Sequence, residues 1–349
     1  MRPIPKTQRA AVYYSNRDVR IEERPVPDLG PGEVLLEVHA SGICGSDVLE
    51  WYRKKKAPIV LGHEVAGRIA KVGPGVTRHQ VGDRVAVNHH VPCNTCHWCL
   101  AGHHTACETL HTTNFDPGGF CEFVRVPALQ ADRGVYPLPE GVTYEEGSFA
   151  EPLGCVVRGQ RSAALRPGQA VAVFGSGVSG ILHIALAKAL GAGRILATDI
   201  CRYKLDLARR FGADEAFLAG EDVPERVRAA LGGRGADLIV VCCGARSAFE
   251  QALRAVDRGG TVLSFATTDP GVDLPVPINE FWRNDITLKP SYGNSPYDAR
   301  TALDLIAARR VPVADMITHR LALEGTAEGF RLMSTPGSQS LKVVILPHG

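Results

Sequence analysis

Four cysteines stand where one metal ion could use all of them. Cys93, Cys96 and Cys99 are separated by two residues each, and Cys107 follows after seven more. Soft thiolates closing on a single tetrahedral ion are the usual solution for structural zinc. Two-residue gaps let one tight knuckle supply three ligands, and the longer loop returns the fourth. A disulfide cluster would suit a short secreted domain rather than a chain of 349 residues. An iron–sulfur centre would call for the ferredoxin run and its following proline, which the spacing lacks. The segment from about 89 to 112 is therefore predicted to be a structural zinc lobe.

A second pattern carries cofactor chemistry. Gly175-Ser176-Gly177-Val178-Ser179-Gly180 matches G-x-G-x-x-G, follows the apolar run Ala170 to Phe174 and opens a helix-like run at Val178. Asp199 closes the next apolar run, completing the context of a dinucleotide fingerprint. Gly175 permits the tight turn, Gly177 lets the backbone approach the pyrophosphate, and Gly180 lets helix and strand pack closely. The helix N-terminus offers free N–H groups to phosphate. Asp199 is suited to accept from ribose hydroxyls and to repel a 2′-phosphate, which favours NAD over NADP. The nearby cations Arg202 and Lys204 soften that preference.

A third set is dispersed. Cys44-Gly45-Ser46-Asp47, Gly62-His63-Glu64 and Glu151-Pro152 together supply a thiolate, an imidazole and one or two carboxylates. Such a set suits a catalytic zinc with one position left open for water or substrate. Taken singly each residue is ordinary; the case rests on their combination with the two patterns above.

The elements needed to position these groups are legible in outline. Residues 1–152 hold short apolar runs, such as 33–38, 65–72 and 84–87, cut by Gly- and Pro-rich turns, a β-barrel texture. Residues 153–290 alternate strand-like and helix-like runs, the texture of a doubly wound parallel sheet with helices on both faces. Residues 291–349, with a helix near Asp298 to Arg309 and a final apolar strand from Leu341 to Leu346, return to complete the first domain. The composition is 45% hydrophobic and 22% charged, with a formal charge of +2. No basic block is long enough to suggest nucleic-acid binding, and no apolar run suits a bilayer. Arg53-Lys54-Lys55-Lys56 is the densest basic cluster; it reads as a solvated loop, or alternatively as an anion-attracting rim. Ten cysteines with no legible secretory signal suit a reducing compartment, the cytoplasm. Cys201, Cys242 and Cys243 read as buried small hydrophobes.

Together these motifs resemble the zinc-dependent medium-chain dehydrogenases over nearly the whole chain. Within that family the chain is most similar to sorbitol and polyol dehydrogenases, with threonine dehydrogenases close by. The resemblance implies an α/β protein: a GroES-like β-barrel catalytic domain plus a Rossmann doubly wound parallel-sheet domain. It implies two zinc ions per subunit, NAD, a secondary-alcohol substrate and a homodimer or homotetramer formed through the nucleotide domain. Cys44 and His63 match zinc ligands, and Glu64 and Glu151 match carboxylates that approach or bind the metal. Ser46 matches the hydroxyl that receives the substrate proton, Asp47 a group that steadies the site, and Lys342 a basic side chain near the cofactor phosphates. Three departures stand out. Leu49 replaces a histidine that ends the proton relay in many relatives, Ser291 stands where sorbitol dehydrogenases tend to carry arginine, and the segment between Asp47 and Gly62 is short. Trp51, Phe115 and Tyr292 are expected around the substrate. A threonine, amino-alcohol or sugar-phosphate dehydrogenase, and an inactive nucleotide-binding protein, remain the alternatives.

Overall fold

The computed structural model describes residues 3–349. The chain divides into two compact units: one runs to Gly154 and resumes over Gly293–Gly349, and the other is Cys155–Tyr292.

The first unit begins with eight strands: β1 (Thr7–Ser15), β2 (Asp18–Pro25), β3 (Val34–Gly42), β4 (Ile59–Val60), β5 (Glu64–Val72), β6 (Arg84–Asn88), β7 (Phe123–Val126) and β8 (Val135–Pro137). Strand β1 lies between β2 and β4, antiparallel to both. The β3–β5 pairing sets Gly42 opposite Glu64, so the ends of these two strands meet where Cys44 and His63 follow and precede them. Their valines and isoleucines favour a pleated, half-buried surface.

The second unit is one parallel sheet built from β9 (Ala170–Phe174), β10 (Arg194–Asp199), β11 (Glu215–Leu218), β12 (Ala236–Val241), β13 (Val256–Ser264) and β14 (Thr287–Pro290). The spatial order is β11-β10-β9-β12-β13-β14, in which the chain reverses direction across the sheet at β9. That is the doubly wound dinucleotide topology, with its ligand crevice at the switch point. All five residues of β9 are buried, as expected for a central parallel strand. The helix Val178–Ala189, which links β9 to β10, buries eight consecutive residues from Gly180 to Ala187. The next helix, Arg202–Phe211, instead buries one stripe through Leu205, Ala208 and Phe211. Each large apolar side chain so buried stabilises the unit by about 1.5–3 kcal/mol.

The chain then re-enters the first unit with β15 (Ile317–Ala322) and β16 (Lys342–Leu346). Strand β16 pairs antiparallel with β3, Val344 opposite Gly42, and parallel with β15. The completed sheet has the order β15-β16-β3-β5-β6-β8, with β7 also on β3. One apolar core joins Val12 and Tyr13 of β1, Leu36 and Val38 of β3, Val65 and Ile69 of β5, and Val343 and Ile345 of β16. Among the described residues no helix is long and apolar enough to cross a membrane.

Candidate active site

Two groups of potential metal ligands converge among the described residues, and both lie in the first unit. The first is Cys44, His63 and Glu64, with all ligand atoms within 4.8 Å of one another. Cys44 follows the end of β3, His63 precedes β5, and Glu64 opens it, so the strand register brings the three together. Glu151, in the first turn of the helix Ala150–Ser162, is buried but is not part of this cluster. Its backbone carbonyl accepts from Asn294 Nδ2 at 3.2 Å.

The cluster has a built support. Asp47 is fully buried; it accepts from the Cys44 backbone N–H at 3.1 Å and lies 3.3 Å from His63 Nδ1. Burial alone would raise the Asp47 carboxyl, but the neighbouring His63 and Arg53 outweigh it and hold it below its usual range. For His63 burial pulls downward, while the Asp47 and Cys44 charges push its pKa well above the ordinary value. Ser46 Oγ donates to Cys44 Sγ at 3.4 Å.

Lys342 is not placed as its match to a phosphate-facing cation implies. It is fully buried and its ammonium donates to Glu64 Oε2 and, at 3.2 Å, to the Ile43 carbonyl. The cause is β16: pairing beside β3 turns this side chain inward. Gly42 makes the room, because a Cβ there would fall 2.1 Å from Glu64 Oε2 and 2.7 Å from Lys342 Cε. Glu64 Oε1, by contrast, is buried with no hydrogen-bond partner. A buried orphan carboxylate oxygen beside a thiol and an imidazole fits a borderline-soft cation such as zinc.

One feature of this region was not singled out in the sequence, and another was named there only as part of a basic cluster. The His89 ring lies tilted beside His63, with ring centroids 4.6 Å apart, and beside His90 at 3.8 Å. Burial pushes the His89 pKa well down, and that of His90 to about 4, so both rings are neutral at pH 7. The doublet His89-His90, placed between β6 and Cys93, was the available signal. Arg53 is the other. Lys54, Lys55 and Lys56 are exposed as a solvated loop should be, but the Arg53 side chain is only 14% exposed and turns toward Ser46 and Asp47. Leu49 and Trp51 lie at the surface, whereas Phe115 is buried and packs edge-to-face with His89.

The second ligand group is Cys93, Cys96, Cys99 and Cys107, again with ligand atoms within 4.8 Å. Backbone N–H groups are aimed at the sulfurs: Cys96 N donates to Cys93 Sγ at 3.2 Å and Cys93 N to Cys107 Sγ at 3.4 Å. Hydrogen bonds from Thr95 and Cys96 lower the Cys93 pKa to about 5, while burial raises that of Cys99 to about 12. Uneven thiols in one tight group are what a bound cation equalises, since it requires all four deprotonated. Leu110 packs against Cys99 and Cys107, and Trp98 and Leu100 remain exposed on the lobe.

In the second unit, Gly175 turns at φ +94°, a left-handed conformation that other residues resist. A Cβ on Gly180 would sit 1.9 Å from the Gly175 carbonyl oxygen, so glycine is required there for contact. Gly177 caps the helix that Val178 begins, and a Cβ on it would meet nothing within 4 Å. Asp199, at the end of β10, accepts from Ser176 N at 2.7 Å and Cys201 N at 2.9 Å. Its carboxylate is thereby fixed against the glycine turn. Lys204 is partly buried, which lowers its pKa, while the Asp199 charge opposes that shift. Cys201, Cys242 and Cys243 are half-buried around these strand ends rather than core residues as expected. Ser291 accepts from Arg158 Nη1 at 3.2 Å, so an arginine from the helix Ala150–Ser162 reaches this position.

A dinucleotide sheet and a thiolate–imidazole–carboxylate cluster in one chain define a metal-dependent oxidoreductase. Comparison with known proteins agrees. Residues 30–140 match the family described as alcohol dehydrogenase GroES-like domain, and residues 179–308 match the zinc-binding dehydrogenase family. Sorbitol dehydrogenase of Gallus gallus is 33% identical over 348 residues, covering 96% of this chain and 95% of that protein. The alcohol dehydrogenase TADH from Thermus sp. ATN1 superposes with a TM-score of 0.87 at 31% identity, covering 97% of this chain and 99% of that one. A protein of Sinorhizobium meliloti 1021, solved bound to NADP, gives a TM-score of 0.87 at 27% identity over 98% of this chain and 100% of that one. The chain belongs to the zinc-dependent medium-chain dehydrogenase family, with a GroES-like domain and a Rossmann domain.

Proposed function

We propose that the protein oxidises a secondary alcohol of polyol, sugar or cyclitol type, with NAD as hydride acceptor and zinc held by Cys44, His63 and Glu64. The observation that carries this reading is the convergence of those three side chains with Glu64 Oε1 buried and unpartnered. The likeness to a sorbitol dehydrogenase supports the substrate class. Zinc there would supply a Lewis acid that makes the alcohol oxygen acidic near neutral pH.

The chain's own residues do the rest. Asp47 lies 3.3 Å from His63 Nδ1, so a proton kept there would leave Nε2 free to bind the metal once the ring is neutral. Lys342 neutralises one oxygen of Glu64 and leaves the other available. Ser46 Oγ accepts a hydrogen bond from the alcohol while its own proton stays directed at Cys44 Sγ, and the alcohol proton passes on to water, Glu50 or the ribose hydroxyls because Leu49 offers no titratable relay. NAD, when bound, would supply the hydride acceptor, so that the secondary alcohol would become a ketone with one proton released. Glu151 lies outside the cluster, and its role as an exchanging carboxylate rests on the family resemblance alone.

Gly175, Gly177, Val178 and Gly180 would hold the pyrophosphate. Asp199 takes the adenine ribose hydroxyls, and its fixed charge supports NAD over NADP. A second zinc in the Cys93–Cys107 lobe is structural. The exposed side chains Ile278 and Trp282 beside the edge strand β14 support pairing with a second copy of the chain. Thiolates that hold zinc must stay reduced, which supports a reducing, cytoplasmic setting. A second reading, a sugar phosphate as substrate, draws on the exposed Lys54 and Lys55, which line one depression with Glu50 and Trp51. Oxidation assays with polyols, threonine and phosphorylated polyols under both cofactors separate these readings. Turnover of polyols above the others supports the proposal, and turnover of threonine or phosphorylated polyols alone overturns it.

A further inference from the structure

Arg53 ends the helix Glu50–Arg53, in the short segment that links the Cys44–Asp47 turn to β4. Its guanidinium is used on one side as a fork. Nε donates to the Ser46 carbonyl oxygen and Nη2 to Ser46 Oγ, both at 3.0 Å. Nη2 also reaches Asp47 Oδ1 at 3.3 Å, the same oxygen that faces His63. The Tyr52 ring lies under the guanidinium, with Arg53 Cζ 4.7 Å from its centroid. Planar, fixed donors of this kind set geometry in a way that a single ammonium does not.

Counting the Ser46 hydroxyl's capacity shows the consequence. A serine has one donor and two acceptor positions. Cys44 Sγ takes the donor, Arg53 Nη2 fills one acceptor, and a single lone pair remains. We propose that Arg53 is a positioning residue that fixes the Ser46 hydroxyl so that its last lone pair accepts from the alcohol at the Cys44–His63 site. The inference rests on the reading of Ser46 as proton acceptor. Arg53 itself has no lone pair and cannot take the proton. Its contribution is to remove the other orientations of the hydroxyl, and it does so from a position that no fixed spacing from Cys44 reveals.

The test uses the full-length, zinc-loaded protein and four variants: R53A, R53K, S46A and the double variant R53A/S46A. R53A is expected to lower kcat at least about tenfold, a part of the roughly 100- to 10,000-fold that a well-placed proton acceptor contributes. KM for NAD and the zinc content stay unchanged. R53K does not restore kcat, because one ammonium cannot span the carbonyl and the hydroxyl. In the S46A background R53A costs nothing further. Added methylguanidinium recovers part of the R53A turnover and none of that of the double variant. A readout independent of turnover is proton release, followed with an indicator dye, when trifluoroethanol binds the enzyme with NAD; R53A releases less than wild type. If R53A loses zinc, R53Q carries the same comparisons. Wild-type kcat in R53A, or losses that add in the double variant, would overturn the role of Arg53. Wild-type kcat in S46A would instead overturn the reading of Ser46 beneath it.

Discussion

Replacing Asp199 with asparagine should change which dinucleotide the protein prefers, and the structure sets the size of the change. The Asp199 carboxylate is held by two backbone N–H groups, from Ser176 and Cys201, at 2.7 and 2.9 Å. It therefore cannot swing away from a 2′-phosphate. For charges about 6 Å apart in an effective dielectric near 20, Coulomb repulsion is about 3 kcal/mol, or roughly two decades in affinity. Asparagine removes the charge, and its amide also confronts one of the two N–H donors, which loosens the turn. That second effect weakens NAD and NADP alike and cancels in their ratio. The ratio of kcat/KM for NAD to that for NADP, measured at 340 nm, should thus fall about 100-fold in D199N and by less at high salt. An unchanged ratio, or a wild-type protein already indifferent to the 2′-phosphate, would refute the reasoning.

Three further outcomes follow from the same geometry. C96S should reduce zinc from two to one per chain and lower the thermal midpoint, while early turnover of the surviving protein persists; simultaneous loss of both metals would contradict separate roles for the two clusters. Lys342→Met leaves the Glu64 carboxylate buried without its partner, which costs about 3–5 kcal/mol. It should lower the denaturation midpoint, and more so after chelation than with zinc present; equal effects would show that Glu64 does not face the metal. His183 is fully buried in the helix Val178–Ala189, with Gln160 Nε2 3.2 Å from Nδ1, and burial lowers its pKa from 6.5 to about 3. The unfolded chain then binds the extra proton, so the stabilising contribution is whole above pH 6.5. It is lost as pH falls toward 3, by up to about 1.4 kcal/mol per pH unit. The His183 ring should show no NMR titration between pH 8 and 4, and H183L should flatten the acid fall in stability; a midpoint near 6 would contradict this.

What could be read from the sequence was the chemistry written in local spacing. The four cysteines, the turn Gly175–Gly180 and Asp199 are each fixed by neighbours a few residues away or by the next strand, so pattern and geometry coincide. Cys44 and His63 were legible as a pair of short motifs, and the β3–β5 register explains why they meet. Residues whose role depends on distant pairing were not legible. Lys342 is brought to Glu64 only because the chain returns as β16 beside β3, and sequence adjacency gives no hint that its ammonium turns inward. Arg53 was hidden in a basic run whose other members are solvated, and only the burial of its fork on Ser46 separates it from them. The strand β11 is four residues long and the helix Val223–Ala230 has eight, too short for periodicity to mark without the sheet that orders them.

The central claim is that Cys44, His63 and Glu64 hold the metal that the reaction needs, apart from the cysteine lobe. Zinc content and polyol oxidation measured together on purified H63A test it most directly. H63A should hold one zinc per chain against two in wild type, with retained NAD binding and no measurable turnover. Two zinc ions per chain with wild-type turnover in H63A would contradict it.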